Sequence, residues 1–151
     1  MITGIKHMAI AVRDVDAALR KYRDLLGVRD VTRHEFEKAR SSEAHFMMGA
    51  VQIQLCQSWD EDGRFSRYIA EHRDEGVHHI CYSTDDIERE IASATARGAA
   101  LKPCAACKVT GPHKHSEGWV AFLQDRLSGL ETEFMQVYKP GEGPDAGPRK
   151  A

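Results

Sequence analysis

Apolar positions mark the elements of this chain in order. Residues 5–12 (Ile-Lys-His-Met-Ala-Ile-Ala-Val) are rich in β-branched and small apolar side chains and predict a buried strand. The period then lengthens. Val15, Ala18, Leu19, Tyr22 and Leu26 fall on one helical face, with Asp14 at the N-cap and Gly27 as the stop. Three strands follow, at 28–37, 43–49 and 51–57, the last two meeting in a tight connection at Gly49-Ala50. The alternation Val51-Gln52-Ile53-Gln54-Leu55 predicts a sheet with one face against helices and the other facing a polar cavity. Phe65, Tyr68 and Ile69 predict a short linking helix over 64–73.

From Val77 the grammar repeats. A strand runs into Asp85 or Asp86 as a cap; Ile87, Ile91 and Ala94 form the apolar stripe, and Gly98 ends it. A short strand near 99–102, a long loop over 103–117 and strands at 118–124 and 131–138 complete the pattern, with a turn at Asp125–Gly129. The two copies lie 72 residues apart, aligning His7 with His79, Asp14 with Asp86 and Val15 with Ile87. Such internal repetition governs the fold prediction. The class is α+β: two tandem βαβββ modules forming a curled mixed sheet around a metal-binding cavity. Residues 1–139 form a single domain, with module one at about 4–60, a linker helix at about 62–75 and module two at about 76–139. The Pro/Gly-rich tail, 140–151, is expected to be disordered.

Composition narrows the function classes. A formal charge of −2 supplies no basic footprint for nucleic acid. No apolar run is long enough to span a membrane, and no secretory pattern opens the chain. Four cysteines do not make a disulfide framework in a chain of this length, so a reducing, cytoplasmic setting is expected.

Strand parity selects the candidate chemistry. If His7 faces the cavity, so do Ala9 and Ala11, while Met8 and Ile10 face the helices. His79 shares its face with Cys81 and Ser83, which turns His78 away. Gln54 is opposite in phase to Ile53 and Leu55, and Glu133 to Thr132 and Phe134. Two imidazoles, an amide oxygen and a carboxylate suit a borderline or hard divalent ion with positions left for water and substrate. A strand histidine is more often a satisfied core or surface residue, so parity alone leaves both readings open. The 103–117 loop offers a rival set: Cys104, Cys107, His113 and His115. Its histidine spacing matches structural zinc sites only loosely, and the plainer reading is a polar loop at the cavity mouth.

The phrases IKHMAIAVRDVDAALRKYRDLLGV and EGVHHICYSTDDIEREIASATARGA resemble the two halves of the vicinal oxygen chelate (glyoxalase/bleomycin resistance/dioxygenase) superfamily. MGAVQIQL and DRLSGLETEF resemble its other two ligand-bearing regions, so the resemblance runs from about Ile5 to Val137. Glu-Gly-Val-His-His-Ile followed by Asp-Asp-Ile is most similar to the methylmalonyl-CoA epimerase branch. The resemblance implies one divalent metal ion (cobalt, nickel, zinc, manganese or magnesium) on His7, Gln54, His79 and Glu133. It implies an isomerase that removes a proton alpha to a carbonyl through a metal-stabilised enolate, on methylmalonyl-CoA or a similar acyl-CoA. A homodimer with a small-molecule substrate, and neither nucleic acid nor membrane as partner, belongs to the same expectation. The resembled family's spacing, counted back 17 residues without gaps from Gln54, implies Glu37 as the catalytic base, a solvated strand-end carboxylate being the plainer reading. Glu131 is in phase with Glu133 as a candidate proton donor. The chain departs from the branch at Gln124-Asp125-Arg126-Leu127-Ser128, around the base, and in the longer 103–117 loop. The alternatives are a glyoxalase-I-like lyase, a dioxygenase and a metal-free binding protein of the same fold.

Overall fold

The computed structural model describes residues 1–144, and among them are nine strands and three helices. In order these are β1 (Ile2–Ala11), α1 (Val15–Leu26), β2 (Thr32–Phe36), β3 (Ser41–Met48), β4 (Val51–Ser58), α2 (Arg64–His72), β5 (Gly76–Thr84), α3 (Ile87–Ala96), β6 (Leu101–Lys102), β7 (His113–Lys114), β8 (Gly118–Leu127) and β9 (Leu130–Val137). Contacts divide the chain into two compact units, Ile5–Cys81 and Met1–Gly4 with the chain from Tyr82 onward. The division falls inside β5, beyond the module boundary expected at residue 76.

In the Ile5–Cys81 unit the strands lie in the order β2-β3-β4-β1-β5. β1 pairs parallel to β4, and β3 antiparallel to both β2 and β4, so the sheet is mixed. Period-two alternation sorts the side chains as the sequence predicts. Val15, Ala18 and Leu19 of α1 pack on Ala44, Phe46, Ile53 and Leu55, with Met8 and Ile10 against the same cluster. Ala9, Ala11 and Cys56 face the other way and pack with Phe65 of α2. Leu26, expected on the buried stripe of α1, is 59% exposed, because the last turn runs past the edge of this cluster. The Asp14 side chain accepts hydrogen bonds from the amides of Asp16 and Ala17, 2.9 and 2.8 Å away. Gly27, at φ +69°, closes the helix with its amide on the Arg23 carbonyl.

In the other unit β8 pairs with β9 along one edge and with both β6 and β7 along the other. Ile87, Ile91 and Ala94 of α3 pack on Ala121, Leu123 and Phe134. Asp86, not Asp85, is the N-cap, accepting the Arg89 amide at 3.1 Å. The expected Asp125–Gly129 turn shrinks to Ser128-Gly129, both at positive φ, because β8 continues through an irregularity to Leu127. Asp125 instead accepts the Ala100 amide at 2.9 Å. The expected strand over 28–37 forms only at 32–36, and the long loop contains β7. Of the tail, Glu142 closes a turn onto the Lys139 carbonyl, and the expected disorder from residue 145 lies outside the described residues.

The duplication extends further than the aligned phrases. The Val15 amide donates to Gln57 Oε1 at 2.9 Å, and the Ile87 amide donates to Gln136 Oε1 at 3.0 Å. Each helix therefore has its first turn tied to a strand glutamine three positions after a predicted ligand. No helix among the described residues is long and apolar enough to cross a membrane.

Candidate active site

One face of the β3-β4-β1 sheet is built in rows. Register sets Met47, Gln52 and His7 in one row, His45, Gln54 and Ala9 in the next, and Glu43, Cys56 and Ala11 in the third. β5 lies beside β1 and contributes His79. His7 and His79 are buried, at 2% and 5% exposure, and their Nε2 atoms lie 3.3 Å apart. Two nitrogens at metal-bond lengths of about 2.0–2.1 Å have that separation when they subtend about 105° at the ion. The donor set thus fits a divalent cation.

Neighbouring side chains orient these candidate donors. The His79 Nδ1 is 2.9 Å from the His78 Nδ1. Arg64 Nη2 also lies 3.3 Å from His79 Nδ1. A bare lone pair on His79 Nε2 requires the proton on Nδ1, which His78 and not the guanidinium can accept. His78 itself packs against Phe65 and Tyr68 of α2, with Arg64 Nη2 at 3.4 Å from its Nδ1. Parity alone turned His78 away from the His79 face, yet its ring packs on the same α2 side chains as Ala9 and Ala11 and lies against the His79 ring. Gln54, 6% exposed, donates through Nε2 to Gln52 Oε1 at 2.7 Å, which leaves its carbonyl oxygen as the available donor atom. Glu133, 4% exposed, belongs to the other unit, on the β9 face opposite Phe134 and paired with Phe122. Glu131, the candidate proton donor, is ion-paired to Lys102 at 2.8 Å.

Glu37 does not join the ligand face. It is exposed in the four-residue turn between β2 and β3, where its carbonyl accepts the Arg40 amide at 3.2 Å. The carboxylate that the sheet face does carry is Glu43, on β3. Its Oε2 is 2.8 Å from His45 Nε2, and its Oε1 accepts the Ser41 hydroxyl at 3.4 Å. Burial pushes this carboxyl up, but the hydrogen bond from His45 and the charges of His45, Arg64 and His79 outweigh it, holding the group below the ordinary 4.5. Gln54 stands opposite His45, so Glu43 is its diagonal cross-strand neighbour, about 7–8 Å away in Cα spacing. That gap can hold a carbonyl and its α-carbon between a metal ligand and a base. The ungapped count passes over Glu43, which the short Gly49-Ala50 connection brings within 11 residues of Gln54; a sequence separation transfers only between hairpins of equal length. The in-phase pair Glu43 and His45 was the signal available in the sequence.

The pattern of the Glyoxalase/Bleomycin resistance protein/Dioxygenase superfamily matches residues 6–122. The chain belongs to this superfamily. Among curated proteins it is 32% identical over 88 residues to the ethylmalonyl-CoA/methylmalonyl-CoA epimerase of Cereibacter sphaeroides, covering 58% of this chain and 65% of the relative. It is 24% identical over 87 residues to the mitochondrial methylmalonyl-CoA epimerase of Mus musculus, covering 58% of this chain and 49% of the relative. The match therefore spans about half to two thirds of these relatives' length. Among solved structures, a variant of the Streptomyces coelicolor methylmalonyl-CoA epimerase in complex with 2-nitronate-propionyl-CoA aligns with a TM-score of 0.77 and 25% identity, over 92% of this chain and 100% of that one. A methylmalonyl-CoA epimerase in complex with methylmalonyl-CoA and NH4+ aligns with a TM-score of 0.74 and 25% identity, over 91% of this chain and 96% of that one. The fold of this superfamily member is the one these epimerases share.

Proposed function

We propose that this superfamily member is a metal-dependent epimerase that moves the proton alpha to the thioester carbonyl of methylmalonyl-CoA or a similar acyl-CoA. The observation that carries the proposal is the pairing, on one sheet face, of two converging imidazole nitrogens with the partly buried carboxylate of Glu43. His7, Gln54, His79 and Glu133 would hold the ion. A bound divalent cation would polarise the carbonyl and stabilise the negative charge that builds on its oxygen as the α-proton leaves.

The chain's own residues do the rest. Glu43 takes the α-proton as general base, and its depressed pKa keeps it ionised at neutral pH. His45, bonded to one oxygen of Glu43, holds the carboxylate in place and leaves its other oxygen, contacted only weakly by Ser41, to meet the proton. His78 fixes the His79 ring, and Gln52 fixes the Gln54 amide. The acyl-CoA complexes of the structural relatives support the substrate class. A cytoplasmic homodimer is carried over from the resemblance with the rest of this reading.

The test is deuterium uptake into the α-position of methylmalonyl-CoA in D2O, without glutathione. Exchange that chelation abolishes and divalent metal restores is expected. Absence of exchange in metal-loaded protein overturns the acyl-CoA reading.

A further inference from the structure

The hairpin between β6 and β7 holds a group of donors that the proposed epimerase chemistry does not use. β6 and β7 pair with the same edge of β8, and Pro103 bridges Thr110, so the loop is closed at its base. Inside it the Cys104 amide donates to the Val109 carbonyl at 2.9 Å, and the Lys108 amide to the Cys104 carbonyl at 3.0 Å. The backbone also addresses the sulfurs. The Cys107 amide points at Cys104 Sγ from 3.4 Å, and the Val109 amide is hydrogen-bonded to the Cys107 thiol. Lys108, directly after the second cysteine, adopts φ +63°, which turns the chain back around the sulfurs. Burial and the neighbouring Cys104 thiol nonetheless push the Cys107 thiol up from its ordinary range, so it is the convergence of the donor atoms that marks the group.

His113 completes the group from β7. Its Nδ1 is 2.9 Å from the Gly111 carbonyl, which places the ring proton there and leaves the lone pair on Nε2. One donor atom from each of Cys104, Cys107 and His113 lies within 4.8 Å of the others. Bonds of about 2.3 Å to sulfur and 2.0–2.1 Å to nitrogen put tetrahedral ligands about 3.4–3.8 Å apart. The triad therefore needs to contract by no more than about 1 Å, within reach of side-chain rotation. The loosely matching histidine spacing is no obstacle, since the strand pairing of β7 with β8, rather than a helix, delivers the imidazole.

We propose that Cys104, Cys107 and His113 form a structural metal site, separate from the candidate active site, that takes Zn2+. Two thiolates and an imidazole are a soft, borderline set that favours zinc over magnesium or manganese. On binding, each thiol loses its proton to solvent, two per ion, and no electrons change hands. Water fills the fourth position. The ion ties the turn at 104–107 to β7 and so fixes the 103–112 hairpin on the edge of β8.

The full chain, reduced and stripped with chelator, is titrated with Co2+ and then Zn2+ alone. A thiolate-to-cobalt charge-transfer band that saturates at stoichiometric cobalt and is displaced by zinc is expected. His7→Ala should retain the band, while Cys104→Ser with Cys107→Ser should lose it and His113→Gln should weaken and shift it. Zinc should also shield two thiols from a disulfide reagent, leaving the buried Cys56 and Cys81 as they were. A missing band at excess cobalt overturns the site, as does a band that survives the double serine variant. A Cys104–Cys107 disulfide that forms in air at the same rate with and without zinc overturns it in favour of a redox pair. The thiolate band reads this site alone, so failure of the epimerase assay leaves it standing and the converse also holds.

Discussion

Replacing Glu43 with glutamine removes the proposed base while preserving the shape of the side chain. The amide cannot accept the α-proton, and loss of a general base costs about 10²–10⁴ in rate, equivalent to about 2.7–5.4 kcal/mol of barrier. The effect on folding should be much smaller. The charge-assisted bond to His45 becomes a neutral one, a loss of about 1 kcal/mol. Relief of the burial cost of a carboxylate offsets part of that. Deuterium exchange into methylmalonyl-CoA should therefore fall by at least about two orders of magnitude, while metal content and urea midpoint stay close to wild type. Glu37→Gln is the matched control: an exposed turn residue should leave exchange within about twofold. Glu43→Gln with near-normal exchange and normal metal content would refute the assignment. Glu37→Gln with the larger loss would return the base to the position that the ungapped count selected.

Three further outcomes follow from the geometry. Because the folded-state pKa of Glu43 is depressed, its contribution to stability is present above the unfolded value near 4.5 and is lost as pH falls through the lower folded value. In metal-free protein, the urea-midpoint difference between wild type and Glu43→Gln should therefore be steady above pH 4.5 and move against the wild type in more acid solution. Gln136→Leu should destabilise by about 1–3 kcal/mol in urea denaturation, since the Ile87 amide loses its buried acceptor; a neutral result would show that water replaces the glutamine. Gly118→Ala should cost about 1–3 kcal/mol, because its Cβ would stand 2.4 Å from the Gln136 carbonyl oxygen; an unchanged thermal midpoint would contradict the tight β8–β9 approach.

Much of this molecule was legible in one dimension. The helices at Val15–Leu26 and Ile87–Ala96 were written in period 3.6 with an aspartate before each, and both caps form. Alternation on β1 and β4 sorted Met8, Ile10, Ile53 and Leu55 from His7, Ala9 and Gln54, and the packing agrees. These are local properties: a backbone period fixes which side chains share a face, whatever the face meets. The ladder of polar residues across β3, β4 and β1 was not local. Which carboxylate stands diagonal to Gln54 depends on the length of the Gly49-Ala50 turn, and that moved the proposed base from Glu37 to Glu43. The partnership of Cys104 and Cys107 with His113 likewise depends on β6 and β7 sharing one edge of β8. The sequence by itself determined the repeated unit, its elements and the phase of each strand, because those follow from periodicity within a segment. Only the tertiary structure decided which groups converge, because strand register and hairpin length set distances between segments that no period encodes.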